Sequence, residues 1–266
     1  MADQPAGPPG PVTTPGGAQL PPLLQANVEP GERAIVATVR LLHALLRPVT
    51  RREWSGQELL PRTGGIVVVA NHISNVDPLA LGQYLAFSGR WPRFLAKDSL
   101  FRVPVVGAVV RACGQIPVQR HSAAARDALG AAVAAIEQGR AVVVYPEGTI
   151  TLDPDLWPMR GRTGAARIAL QTGAPVIPIG QWGAQEIMYG KQITWPRLRP
   201  RATLRLRAGP PVPLDDLRGV PMTAAVLDQA TERIMAAVTS LVAGLRGGEP
   251  PAVPVDPRPA RTQVPR

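Results

Sequence analysis

A histidine and an aspartate stand five positions apart in Asn71-His72-Ile73-Ser74-Asn75-Val76-Asp77-Pro78. A carboxylate on one imidazole nitrogen fixes the tautomer and leaves the other nitrogen free to take a proton. On one straight helix that spacing would turn the two side chains apart. A loop leading into a helix would let Asp77 fold back onto His72. Asp77-Pro78 reads as an N-cap followed by Pro at the first helical position, which puts His72 in that loop. No nucleophilic serine is needed, because a substrate hydroxyl could take its part. Spacing alone does not prove a pair: the two residues meet this often by chance, and Asp77 also reads as a plain cap.

Three further clusters carry polar chemistry. Tyr145-Pro146-Glu147-Gly148-Thr149 follows an apolar run and could offer a carboxylate, a hydroxyl and backbone N–H groups. On composition alone it is an ordinary Pro-Gly turn. Gly114 to Arg120 ends in an arginine that could pair with phosphate, though a solvated arginine is the plainer reading. Arg160 and Arg162 precede a predicted helix, where an anion could sit at the helix N-terminus. The single cysteine, Cys113, excludes an internal disulfide and argues against a zinc site. It lies in an apolar run and reads as a small buried hydrophobe.

These clusters need elements to position them. Gly31 to Thr50 reads as a helix, with Ile35, Val39, Leu42, Leu46 and Val49 at spacings of three and four. Arg33, Arg40 and Arg47 form a basic stripe, and Arg51 and Arg52 follow. Such a helix can lie in a membrane interface or pack its apolar face on a core, since both need the same moment. Strand and helix signals then alternate. Ile66 to Ala70, Arg93 to Ala96, Gln115 to Val118, Ala141 to Tyr145, Pro175 to Ile179 and Thr203 to Arg207 read as strands. Asp77 to Phe87, Ala125 to Ile136, Gly161 to Thr172 and Leu227 to Leu245 read as helices. The expected fold is α/β: a mixed, mainly parallel sheet flanked by helices, with an N-terminal amphipathic membrane-docking helix. In such sheets the strand ends carry the ligand sites. The expected domain spans residues 31–246. Pro/Gly-rich tails without helical or strand period flank it at 1–30 and 247–266.

The formal charge is +10, so polyanions are the expected partners. Aromatic content of 4% and the lack of a nucleic-acid motif argue against nucleic acid as that partner. A hydrolase using Ser74 would need a G-x-S-x-G turn, which is absent around it. No leader and no run of about 18 apolar residues is visible. The expectation is therefore a peripheral protein on the cytoplasmic face of the cell membrane.

The order of the clusters is more specific than any one of them. Asn71-His72 to Asp77-Pro78, Gly114 to Arg120, Pro146-Glu147-Gly148-Thr149, and Val176-Ile177-Pro178 resemble the four blocks of the glycerolipid acyltransferases, with the bacterial 1-acylglycerol-3-phosphate acyltransferases most similar. The resemblance runs from about Val67 to Gly180. It implies His72 as general base and Asp77 as its orienter, with Asn71, Ser74 and Pro78 shaping the turn. It implies Arg120 on the acceptor phosphate, Glu147, Gly148 and Thr149 at the acceptor, and Pro178 shaping the acyl or acceptor site. The third block often ends in Arg, where Ile150 stands here, so Lys97, Arg160 or Arg162 would have to replace that ligand. The implied reaction carries a fatty acyl group from acyl-CoA or acyl carrier protein to a lysophospholipid on an anionic membrane surface. It needs no metal and no cofactor.

Overall fold

A computed structural model describes residues 23–27, 29, 31–118, 124–190 and 195–257. Most of the expected tails, residues 1–22 and 258–266, lie outside the described residues, as do Arg120 and its neighbours 119–123. The described elements run α1 (Leu23–Ala26), α2 (Arg33–Leu46), β1 (Thr50–Ser55), β2 (Ile66–Ala70), α3 (Asp77–Phe87), β3 (Pro92–Lys97), α4 (Asp98–Phe101) and α5 (Val106–Ala112). They continue as β4 (Ile116–Val118), α6 (Ala124–Glu137), β5 (Ala141–Val144), α7 (Gly164–Thr172), β6 (Val176–Trp182), β7 (Ala202–Ala208) and α8 (Ala224–Arg246).

The seven strands form one sheet in the order β1-β7-β6-β2-β5-β3-β4. The five from β6 to β4 are mutually parallel, and β7 runs antiparallel to β6. β2 and β5 are continuous apolar runs because parallel strands at the centre of an α/β sheet are covered on both faces. β7 alternates buried and half-buried residues along its length. One face of the sheet packs on α2 and α3; the other packs on α6, α7 and α8. α3 is buried on nearly every side. Parallel strands bring the residues that follow Ala70, Lys97 and Val144 to a single edge, and the candidate site residues gather there.

The leading helix is shorter than its sequence pattern suggests. α2 stops at Leu46, just before Pro48. Arg51 and Arg52, expected to extend its basic stripe, instead lie in β1, paired in register with Thr203 and Leu204 of β7. Burying Trp54 against the core anchors that edge strand. Of the two readings open for the apolar stripe, packing on the core is the one seen: Ile35 and Val39 are buried, and Leu42, Leu46 and Val49 are half-buried. The outward face carries Leu41 and Leu45, each 60% exposed, together with exposed Arg33, Arg40 and Arg47. The start of this segment is clipped to the sheet. Arg90 pairs with Glu29 at 2.9 Å, and Arg93 pairs with Glu32 at 2.5 Å. Both arginines are buried, and Arg90 also donates to the carbonyls of Gly64 and Gly139.

Two other segments depart from the expected elements. The helix expected from Gly161 begins at Gly164, and Gly161 lies outside it, close against α8: a Cβ there would lie 2.8 Å from Met235 Cγ. Past α8, residues 247–257 form no helix or strand, yet the Val255 carbonyl accepts from Arg160 N at 2.9 Å.

The inward and outward faces of α2 make opposite demands on stability. Ile35→Ala should cost about 2–4 kcal/mol through a core cavity. Leu41→Ala and Leu45→Ala should each stay within about 0.5 kcal/mol. Thermal or urea melts of the three variants check this, and equal losses would refute the orientation.

Candidate active site

The loop after β2 turns back on itself through one carboxylate oxygen. Asp77 Oδ2 accepts from His72 Nδ1 at 2.8 Å, from Ile73 N at 2.6 Å and from Ser74 N at 2.7 Å. Asp77 does not cap α3 with its side chain as expected; the carboxylate points back into the loop instead of forward to the helix amides. Its side chain is fully buried, whereas that of His72 keeps 16% exposure. With Nδ1–H given to Asp77, Nε2 is the nitrogen left to handle a proton.

Both backbone groups of His72 are also fixed. Its N–H donates to Glu147 Oε1 at 2.8 Å, and its carbonyl accepts from Thr151 N at 2.7 Å. The second oxygen of Glu147 accepts from Met159 N at 3.0 Å. Glu147 is fully buried, so it acts as a bracket between loops and has no surface for an acceptor. Burial pushes its carboxyl up to about 8, against the opposing pull of the two amides. Asn71 and Gln181 complete the frame. Asn71 Nδ2 donates to the Gln181 carbonyl at 3.0 Å, and Gln181 N donates to Asn71 Oδ1 at 2.9 Å. Ser74 Oγ donates to the Met188 carbonyl at 2.6 Å, tying the loop after β6 to the same turn. Asn71 and Ser74 are therefore buried supports of the turn, not groups facing a substrate.

An aromatic wall lies beside the histidine. The Tyr145 ring stacks on His72 with centroids 4.3 Å apart, and Phe94 follows Tyr145 at 6.3 Å. The buried Tyr145 phenol is pushed up by desolvation, with the Asp77 charge acting in the same direction. Tyr145 and Gln181 were not singled out from sequence as site residues. A tyrosine that ends a buried strand two residues before Glu147 was the available signal for the first. Gln181 is 110 positions from Asn71 and left none.

The basic candidates separate. Gly148 takes a left-handed φ of 71°, and a Cβ there would come 3.0 Å from Arg162 Nε. The exposed Arg162 side chain thus lies against the turn, and the Arg162 backbone N–H donates to the Pro146 carbonyl at 2.8 Å. Thr149 is half-buried on the same turn. Ile150 is buried. Arg160 faces elsewhere, toward Glu232 at 4.0 Å and Asp256 at 3.7 Å. Neither arginine sits at the first turn of α7 as the sequence suggested, since that helix begins later. Lys97 is exposed at the end of β3, level with Val118 of β4. Pro178 lies in β6, and its ring is near Gly209 and Leu241 of α8, on the face opposite α3. It packs the far layer and does not reach His72. Among the described residues, no three His, Cys, Asp or Glu side chains form a metal-ligand cluster.

The bracket has a pH signature. A carboxyl raised from 4.5 to about 8 binds its proton more tightly in the folded chain than in the unfolded one. Its contribution to stability is complete below the unfolded value and is lost as pH rises through about 8. The thermal midpoint should fall across that window, and Glu147→Gln should flatten the slope. An unchanged slope in the variant would remove Glu147 as its source.

Comparison with known proteins agrees with this architecture. Residues 51–182 match the family model described as Acyltransferase. A chloroplastic 1-acyl-sn-glycerol-3-phosphate acyltransferase of Brassica napus is 33% identical over 146 residues, covering 53% of this chain and 40% of that protein. The 1-acyl-sn-glycerol-3-phosphate acyltransferase of Borreliella burgdorferi is 34% identical over 128 residues, covering 47% and 48%. The matches thus span less than half the length of these relatives. The crystal structure of the 1-acyl-sn-glycerophosphate acyltransferase of Thermotoga maritima superposes with a TM-score of 0.60 at 20% identity, over 86% of this chain and 88% of that one. That likeness establishes the fold.

Proposed function

We propose, for a chain whose residues 51–182 form a domain of the acyltransferase family, that it transfers a fatty acyl group from a thioester to the free hydroxyl of 1-acylglycerol 3-phosphate, giving phosphatidic acid for phospholipid synthesis. The donor is acyl-CoA or acyl carrier protein. The protein works peripherally on the cytoplasmic face of an anionic membrane. The observation that carries the reading is the His72–Asp77 contact of 2.8 Å at the open end of a buried parallel strand.

In this mechanism His72 Nε2 takes the proton of the acceptor hydroxyl as its oxygen attacks the thioester carbonyl. Asp77 offsets the positive charge that develops on the ring. The tetrahedral intermediate collapses with cleavage of the carbon–sulfur bond, and the imidazolium returns the proton to the leaving thiolate. The product is an ester and a free thiol. Tyr145 limits the tilt of the ring by stacking on it. Glu147 acts indirectly, by holding the His72 backbone. Arg162 takes over the phosphate contact that Ile150 cannot make, and Lys97 serves the same anion or the donor from the end of β3. Arg120, outside the described residues, is the further candidate that the family resemblance implies. The buried Ile150 favours a second reading, the same chemistry on glycerol 3-phosphate, another lysophospholipid or a glycolipid.

An acyl-transfer assay with one acyl-CoA and a panel of acceptors tests both readings. His72→Ala should lower turnover by about 100- to 10,000-fold without lowering the melting temperature. Near-normal turnover would sink the base assignment. Arg162→Ala should raise the acceptor KM and leave the donor KM unchanged. If the acceptor KM stays constant, the phosphate is held elsewhere and Lys97→Ala is the next variant to measure.

A further inference from the structure

We propose that the knuckle between α4 and α5 is a docking surface, which meets an anionic bilayer. This rests on the lipid-substrate reading above. From Arg102 to Val106 every residue is exposed, and four of the five are apolar: Val103, Pro104, Val105 and Val106. Val105 is 77% exposed. Leu100 and Val109 extend the patch. An uninterrupted exposed apolar run of this length serves no packing purpose in a water-facing loop.

The knuckle is built to stand out rigidly. Phe101 is buried beneath it, and a Cβ on Gly107 would come 2.2 Å from the Phe101 carbonyl, so the two short helices touch backbone to backbone. The Arg111 side chain donates to that same carbonyl. Val105 takes φ 64°, a conformation that a β-branched side chain rarely adopts. Strain of this kind persists only where the surroundings enforce it.

Charge selects the partner. Arg102 and Arg111 flank the valines and are exposed, and Lys97 stands exposed at the base, where β3 enters α4. Asp98 is the acidic group within α4, and Arg102 already pairs with it. The valines supply apolar surface for the acyl region, and the cations meet lipid phosphate. The patch also adjoins the leading helix, where Thr38 Oγ1 lies 3.3 Å from Cys113 Sγ at the end of α5. β3 ends at the same sheet edge as the His72 loop, so docking here brings that edge to the membrane.

The test is vesicle flotation of the full chain, paired with acyl transfer to a detergent-dispersed acceptor. The variant is Val103→Ser/Val106→Ser/Val109→Ser, and Val253→Ser, the same change at one exposed valine distant in sequence, is the control. Vesicles are phosphatidylcholine with or without phosphatidylglycerol. The triple variant should bind anionic vesicles at least about tenfold more weakly, with its melting temperature and detergent-phase turnover unchanged. The control should bind as the parent does. Unchanged vesicle binding overturns the proposal. So does a parent chain that self-associates through the patch, shown by a dimer that the triple variant abolishes while vesicle binding persists. If the parent transfers no acyl group yet the triple variant still loses vesicle binding, the surface stands and the reaction reading falls.

Discussion

The site depends on one oxygen atom. Asp77 Oδ2 takes three hydrogen bonds, one from the imidazole and two from amides of the loop that carries it. The amide bonds set the position of the carboxylate before any substrate arrives. Because the aspartate opens a helix that is buried on nearly every side, it cannot swing away. The partner that keeps some exposure is the histidine, the one that would meet the substrate in the proposed reaction. Everything else near the loop serves this arrangement: Glu147 and Thr151 hold the backbone on either side of the ring, and Tyr145 holds its plane.

Those supports come from distant parts of the chain, and that explains what could and could not be read in advance. β2, α3 and α8 matched their apolar patterns closely: β2 is an apolar run bounded by turn residues, α3 an apolar segment opened by Asp-Pro, and α8 repeats its buried residues at three and four. β1 did not, since Thr-Arg-Arg-Glu-Trp-Ser has little apolar content and exists as a strand only because β7 pairs with it. The short helices α4 and α5 hold too few residues to show a period. The direction of the α2 stripe was open on sequence grounds. It was settled by packing against α3 and by the two ion pairs that precede it.

At the site, the local pair was legible and the long-range contacts were not. His72 and Asp77 could be joined by loop geometry alone. Asn71 with Gln181 could not, nor could Arg162 over Gly148, because nothing in the spacing marks such meetings. Glu147 illustrates a different limit. Its position was flagged, but a carboxylate next to Gly and Thr suggests contact with a ligand, and burial turned it into a bracket instead. Arg120 carries the remaining expectation, and it lies outside the described residues.

The compactness of the turn from Asn71 to Asp77 has a consequence for divergence. The proton-handling unit is enclosed in one strand end and one helix start, while the cations that would recognise an acceptor stand on other strand ends and loops. If the proposed roles hold, a lineage could exchange those cations one at a time without touching the His72–Asp77 pair. Acceptor choice and chemical step would then be inherited separately, and the turn would persist among descendants that no longer share a substrate.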